Sequence, residues 1–143
     1  DILWCFFMKN KIAIFLVVTL SVAILSSCGY EKINTQKEKD MDFTVVSQGE
    51  MPDEVKQIVE ERKENEFKVT YSDNKYTYII VGYGKQKFNG YSINVEKLYE
   101  TKNAIYVKTV FQGPKEYTTN ESVSYPYIVI KVEYSDKNII FSE

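Results

Sequence analysis

The stretch FKVTYSDNKYTYIIV at residues 67–81 contains two strands and the turn between them. Phe67, Val69 and Tyr71 alternate with polar residues, and a period of two is typical of a half-buried strand. The residues SDNK at 72–75 favour a tight turn. The run at 76–81 is apolar on both sides, which is typical of a strand with neighbours on both edges and cover on both faces. We therefore predict a β-hairpin whose second strand is central in its sheet.

The same period of two continues toward the C-terminus of the chain. Polar turns at 100–103 and 135–138 separate the apolar runs into pairs. Four further strands are predicted, at residues 91–99, 104–111, 128–134 and 139–141. Because short turns join neighbouring strands, the C-terminal half is predicted to be a β meander.

The pattern changes to a helical one on the N-terminal side of the hairpin. A short strand is predicted at 43–46, and a helix begins near Pro52, which suits a first helical turn, and fades near Asn65. The helix has one narrow apolar stripe, formed by Val55, Ile58 and Val59. The predicted fold is α+β, with a small, mostly antiparallel sheet of five to seven strands and one short covering helix.

The N-terminal residues have the layout of a secretory signal peptide at 1–27. We interpret residues 1–7, which precede the first methionine, as an over-extended start. Lysines 9 and 11 then precede an apolar run at 12–25. A helix of that length spans about 21 Å at about 1.5 Å per residue, which is short of the roughly 30 Å of a hydrocarbon core.

Leu25, Ser26, Ser27 and Cys28 resemble the lipobox of bacterial lipoproteins. The resemblance implies that Cys28 receives a diacylglycerol and becomes the first residue after cleavage. The alternatives are a buried thiol or a disulfide with Cys5, but Cys5 precedes the first methionine. We therefore expect a lipid anchor on the extracytoplasmic face of the cell membrane, a flexible polar tether at 28–42 and a folded domain at 43–143.

The composition argues against catalysis and against nucleic-acid binding. The chain has no histidine, and its formal net charge is -2. It thus lacks the commonest general base and metal ligand, and no basic surface for phosphates is indicated. Acidic pairs such as Glu60 and Glu61 lie on the predicted helix, with no apolar pocket to raise a pKa. We predict a protein that is not an enzyme and that uses no cofactor, no metal and no nucleic acid.

The segments GKQKFNGYSI at 84–93 and YPYIVIKV at 125–132 resemble the C-terminal domain of the PrcB family. These are lipoproteins named for a subunit of a bacterial cell-surface protease complex. The resemblance covers residues 76–132, and Asn89 stands where the family usually has a first glycine. It implies a non-catalytic module that binds an envelope or secreted protein and assembles or stabilises a surface protease complex. The alternatives are a protease-inhibitor-like domain and a module that binds cell-wall glycan.

The turn in FNGYSINV at 88–95 can be structural or can contact a partner. A turn with positive φ favours glycine, and asparagine is the next most tolerant residue, so Asn89 and Gly90 are candidate turn residues. Gly90 would let Tyr91 enter the sheet with its ring on the core face. Pro126 lacks an N–H donor and suits the first residue or the edge of a strand.

The region 112–124 is the longest part of the domain without sustained apolar alternation. It is either a plain connection or a binding loop, since binding residues concentrate on loops that a rigid scaffold positions. We expect the turn at 87–90 to lie at the same end of the sheet, which would give one composite surface. Tyrosines offer large contact areas at low entropic cost. The candidate binding residues are therefore Tyr91, Tyr117, Tyr125 and Tyr127.

Overall fold

The computed structural model describes residues 2–3, 5, 7–9, 37, 39–116 and 121–143. The chain divides into two units, residues 1–33 and 34–143. In the first unit, the described residues are helical and exposed. None of the helices formed by described residues has the length and apolar character needed to cross a membrane. The predicted apolar run at 12–25 and the predicted lipid site Cys28 lie outside the described residues.

The second unit contains eight strands, one α-helix and one 3-10 helix in its described residues. The 3-10 helix is Gln48–Glu50, and α1 is Asp53–Arg62. The strands are β1 Lys39–Asp40, β2 Thr44–Val45, β3 Glu66–Ser72, β4 Tyr76–Tyr83, β5 Ser92–Glu100, β6 Ala104–Gln112, β7 Tyr127–Glu133 and β8 Asn138–Phe141. The predicted α+β fold with one short helix is confirmed.

The strands form two four-stranded sheets rather than one continuous sheet. The order in the first sheet is β1-β5-β6-β8, and the order in the second is β2-β7-β4-β3. Strand β4 pairs antiparallel with β3 on one side and with β7 on the other. The central position that its apolar sequence predicts is confirmed.

Two apolar clusters cover the two faces of β4. On one face, Tyr78 and Ile80 pack with Val55 and Val59 of α1 and with Val129 of β7. On the other face, the side chains of the second sheet meet those of β5, β6 and β8 from the first sheet. These residues include Ile79, Val81, Leu98, Ile105, Val107, Ile128 and Ile130. Burial on both faces explains why the β4 sequence lacks an alternating polar face.

The last strand departs from the predicted meander. Instead of returning along β7, β8 pairs in parallel with β6. Strand β7 already has β4 on one edge and β2 on part of the other. The turn before β8 is held on the first sheet by Lys137, whose Nζ donates to Glu100 Oε2 at 3.1 Å and to the Thr101 carbonyl at 2.8 Å. Ile139 and Phe141 then pack on the cluster between the sheets.

Candidate functional site

The turn at 87–90 and the segment at 121–124 are joined by hydrogen bonds. The backbone N–H of Ser122 donates to the Lys87 carbonyl at 2.9 Å, and Ser124 Oγ donates to the Phe88 carbonyl at 2.6 Å. Asn89 Nδ2 donates to Ser122 Oγ at 2.7 Å. Gln86 and Ser124 also form an antiparallel bridge. The structure therefore brings the turn together with the end of the 112–124 region, and we call residues 86–91 and 121–124 the turn-loop surface.

Gly90 alone supplies the unusual backbone conformation of this turn. Its φ is +91°, whereas Asn89 does not have a positive φ. The role of Asn89 is instead carried by its side-chain amide, which reaches Ser122 across the turn-loop surface. A Cβ on Gly90 would lie 3.0 Å from Cβ of Pro114, so this glycine also permits close packing against the start of the 112–124 region.

Tyr91 belongs to an aromatic stack that joins the two sheets. Its ring centroid lies 4.9 Å from that of Phe111 on β6, and Phe111 in turn stacks at 4.3 Å on Tyr83 of β4. The Tyr83 hydroxyl shares a hydrogen bond of 2.6 Å with Thr109 Oγ1. Tyr91 is half-buried and lies just before β5 rather than inside it. This stacking favours a structural role for its ring.

Tyr125 and Pro126 lie between the turn-loop surface and β7. The ammonium of Lys63, just after α1, is 5.1 Å from the centre of the Tyr125 ring, a cation–π distance. Glu60 Oε2 accepts a hydrogen bond of 2.7 Å from the same ammonium and raises the pKa of Lys63. The Pro126 carbonyl accepts the backbone N–H of Tyr83 at 2.9 Å. Tyr125 is half-buried, and its contact with Lys63 places its ring against the end of the helix.

Tyr127 is the first residue of β7 and packs against the cluster beneath α1. Its phenol is half-buried, and burial, assisted by the Glu60 carboxylate, raises the pKa of Tyr127. The hydroxyl therefore keeps its proton well above neutral pH and remains a hydrogen-bond donor. Tyr125 and Tyr127 thus lie beside the same end of α1.

Two of the predicted site residues, Cys28 and Tyr117, lie outside the described residues. Sequence reasoning missed Phe111, Ser122 and Lys63. The alternation in 104–111 indicated that Phe111 lies in a strand, but nothing in that pattern indicated a stack with two tyrosines. Ser122 and Lys63 gave no signal, because the contacts that matter here, Ser122 with Asn89 and Lys63 with Tyr125, join residues far apart in sequence.

The described ranges contain no group of three or more His, Cys, Asp or Glu residues placed to hold a metal ion. In those same ranges, every buried side-chain nitrogen or oxygen has a hydrogen-bond partner. What the turn-loop surface offers is exposed polar groups at Asn89 and Ser122 beside the half-buried ring of Tyr125. Polar groups around aromatic rings are common in surfaces that bind other macromolecules.

The part of the chain that carries this surface matches a known family. Residues 77–133 match the family model described as PrcB C-terminal. The match begins in β4, ends with β7 and includes the whole turn-loop surface. The resemblance drawn from the sequence is confirmed for this segment. Neither the comparison with curated proteins nor that with solved structures gave a match to the chain.

Proposed function

We propose that this protein is a non-catalytic binding module, anchored through diacylglyceryl Cys28 to the extracytoplasmic face of the cell membrane. Its partner is an envelope or secreted protein that belongs to a protease complex. The observation that carries the proposal is the PrcB C-terminal match, which spans β4 to β7 and suggests a protease-complex-related domain. The turn-loop surface lies wholly within that match and is the binding surface that we assign.

The geometry of the turn-loop surface supports a binding role. Its exposed groups are positioned by hydrogen bonds between the 86–91 and 121–124 segments, and by the packing of Gly90 on Pro114. A surface that is ordered before binding loses less conformational entropy when a partner docks. Tyr125 adds an aromatic ring at its border, and tyrosines are enriched among the residues that dominate binding energy.

The rival functions make different demands on the surface. An inhibitor-like domain would insert the turn of the turn-loop surface into a protease cleft and would lower proteolysis. An assembly subunit would instead preserve proteolysis. A glycan-binding module needs open ring faces for sugars. On the first sheet, the rings of Tyr99 and Tyr106 stack with their centroids 5.3 Å apart and an angle of 10° between their planes. The stack covers one face of each ring, and that face is closed to a sugar.

The proposal is tested with the full chain, affinity-tagged and solubilised from membranes with mild detergent. We expect a proteolytic activity to co-purify with the protein. We also expect this activity to decay faster in a preparation from which the protein has been removed. Proteolysis that rises on removal would identify an inhibitor. Retention on peptidoglycan without any co-purified protease would contradict the proposal and favour the glycan-binding module.

The anchor is tested by Cys28→Ala. We expect complete loss of labelling by a fatty-acid analogue and retention of the uncleaved N-terminal segment, because the thiol is the acceptor of the lipid in this resemblance. Cys5→Ala is the matched control and should leave labelling unchanged. Gel fluorescence and the mass of the product measure both effects. Labelling that persists in Cys28→Ala would refute the lipid anchor.

A further inference from the structure

The outer edge of β5 is mostly unpaired in the described part of the chain. Strand β1 pairs only with Tyr99 and Glu100, and the Met41 N–H donates to the Leu98 carbonyl at 3.1 Å. No described strand lies beside residues 92–97 on that side. Unpaired backbone groups along a strand edge form a template on which another extended polypeptide can pair. A strand is therefore the occupant whose backbone groups match this edge.

A surface cavity of about 490 Å³ lies where β1 leaves this edge. Its apolar walls come from Met41 and Phe43 on the N-terminal side and from Val95 and Leu98 on β5. The Phe43 side chain is large and exposed. Recognition by strand addition combines backbone hydrogen bonds with pockets for alternate side chains. The rest of the cavity lining is polar or charged and consists of Lys37, Asp40, Glu96, Lys97 and Tyr99. The apolar part of the cavity is suited to receive an apolar side chain of an added strand.

The unpaired edge continues directly from the turn-loop surface, because Ser92 follows Tyr91. The register of β5 shifts at Glu96, and the Glu96 carboxylate pairs with Lys108 at 3.2 Å. Bulges and charged side chains on an edge oppose indiscriminate pairing, so this edge favours a short segment. A partner held at the turn-loop surface can extend along β5 without crossing β1.

We propose that the partner binds as an extended segment that adds a strand to β5 at residues 92–97 and places one apolar side chain in the cavity beside Met41 and Phe43. This inference rests on the proposed binding function and names the partner's conformation. A second copy of this chain fits less well. Antiparallel pairing of two β5 edges would place β1 of each copy against the turn-loop surface of the other.

The probe is a capped synthetic peptide of alternating valine and threonine with a lysine at each end, added to the full chain in detergent micelles. Two matched control peptides carry N-methyl groups, one on alternate residues, which blocks one edge of the strand, and one on every residue, which blocks both edges. Amide hydrogen exchange measured by NMR is the readout. The alternately methylated peptide keeps one N–H edge that can face β5 and should bind, whereas the fully methylated peptide has no N–H donor and should not.

We expect amides within 92–97 to exchange about tenfold more slowly at saturation, since each added hydrogen bond must open before exchange. Strand β3, the exposed edge of the second sheet at Glu66–Ser72, is the internal control and should not change. No protection of 92–97, equal protection of β3, or binding of both N-methylated peptides would overturn the proposal. So would protection that rises with protein concentration alone, which would assign the edge to a second copy.

These outcomes are separable from those of the proposed function. If a co-purified protease depends on the turn-loop surface while the peptide fails to protect β5, only the strand-addition proposal falls. If the peptide protects β5 with the expected N-methyl pattern while no protease co-purifies, the edge stands as a peptide site and the proposed function falls.

Discussion

Replacing Gly82 with alanine is expected to lower the free energy of unfolding by about 2 kcal/mol, the typical cost of overpacking a core. Gly82 is buried on β4 and lies directly opposite Phe67 of β3. A Cβ at this position would overlap the Phe67 ring. Because β4 is hydrogen-bonded to β3 on one side and to β7 on the other, its backbone cannot move away. Urea unfolding measures the loss.

A double-mutant cycle with Phe67→Leu isolates this contact. Leucine at position 67 removes the ring that the new methyl group meets, so Gly82→Ala should cost at least about 1 kcal/mol less in that background. The cycle also corrects for the stability that Phe67→Leu itself removes from the cluster beneath α1. An equal cost of Gly82→Ala in both backgrounds would show that the ring is not what excludes a side chain.

Gly90→Val is also expected to destabilise the fold by about 2 kcal/mol, or roughly 10 °C in Tm. Two effects add at this position. A β-branched residue is strained at a φ of +91°, and its Cβ would lie 3.0 Å from Cβ of Pro114. The turn would move away from the 112–124 region, which would also disturb the bond between Asn89 and Ser122.

Gly49→Val is the matched control for this substitution. Gly49 is exposed, has no positive φ, and a Cβ there would meet no atom within 4 Å. We expect it to change the stability by less than about 1 kcal/mol. Thermal unfolding followed by circular dichroism compares the two variants. Equal melting temperatures for Gly90→Val and the unmutated protein would contradict the turn geometry.

The spacing of apolar residues predicted the individual strands and the helix, because each of these elements buries its own face or faces. The two-sided apolar sequence of β4 indicated a central strand, and β4 does have neighbours on both edges. The apolar stripe of α1 indicated a covering helix, and its Val55 and Val59 pack on the second sheet. A single strand or helix therefore carries in its own sequence the number of faces that it buries.

The division into two sheets could not be predicted in the same way. A period of two gives the buried face of a strand but not the strand that lies beside it. The turn before β8, which pairs in parallel with β6, is held by contacts of Lys137 with Glu100 and Thr101, which are far away in sequence. No local pattern encodes a contact of that kind.

The sequence predicted where the candidate site lies, but it did not predict the contacts that form the site. The turn residues FNG indicated a tight turn before a strand, and the lack of alternation indicated an irregular 112–124 region. Their junction depends on single hydrogen bonds, such as that between Ser124 Oγ and the Phe88 carbonyl. Serines are common in loops for many reasons, so their sequence positions did not single them out.

The most direct test of the binding surface compares two tyrosines at opposite ends of β7. Tyr125 precedes β7 and borders the turn-loop surface, whereas Tyr134 follows β7 and is 53% exposed. Each is replaced with alanine in the tagged full chain, and the proteolytic activity that co-purifies is measured at equal amounts of folded protein. We predict that Tyr125→Ala lowers recovery about tenfold, as expected for an aromatic residue that dominates binding, and that Tyr134→Ala leaves it unchanged. Equal recovery with both variants, or a loss confined to Tyr134→Ala, would contradict the assignment of the turn-loop surface as the binding site.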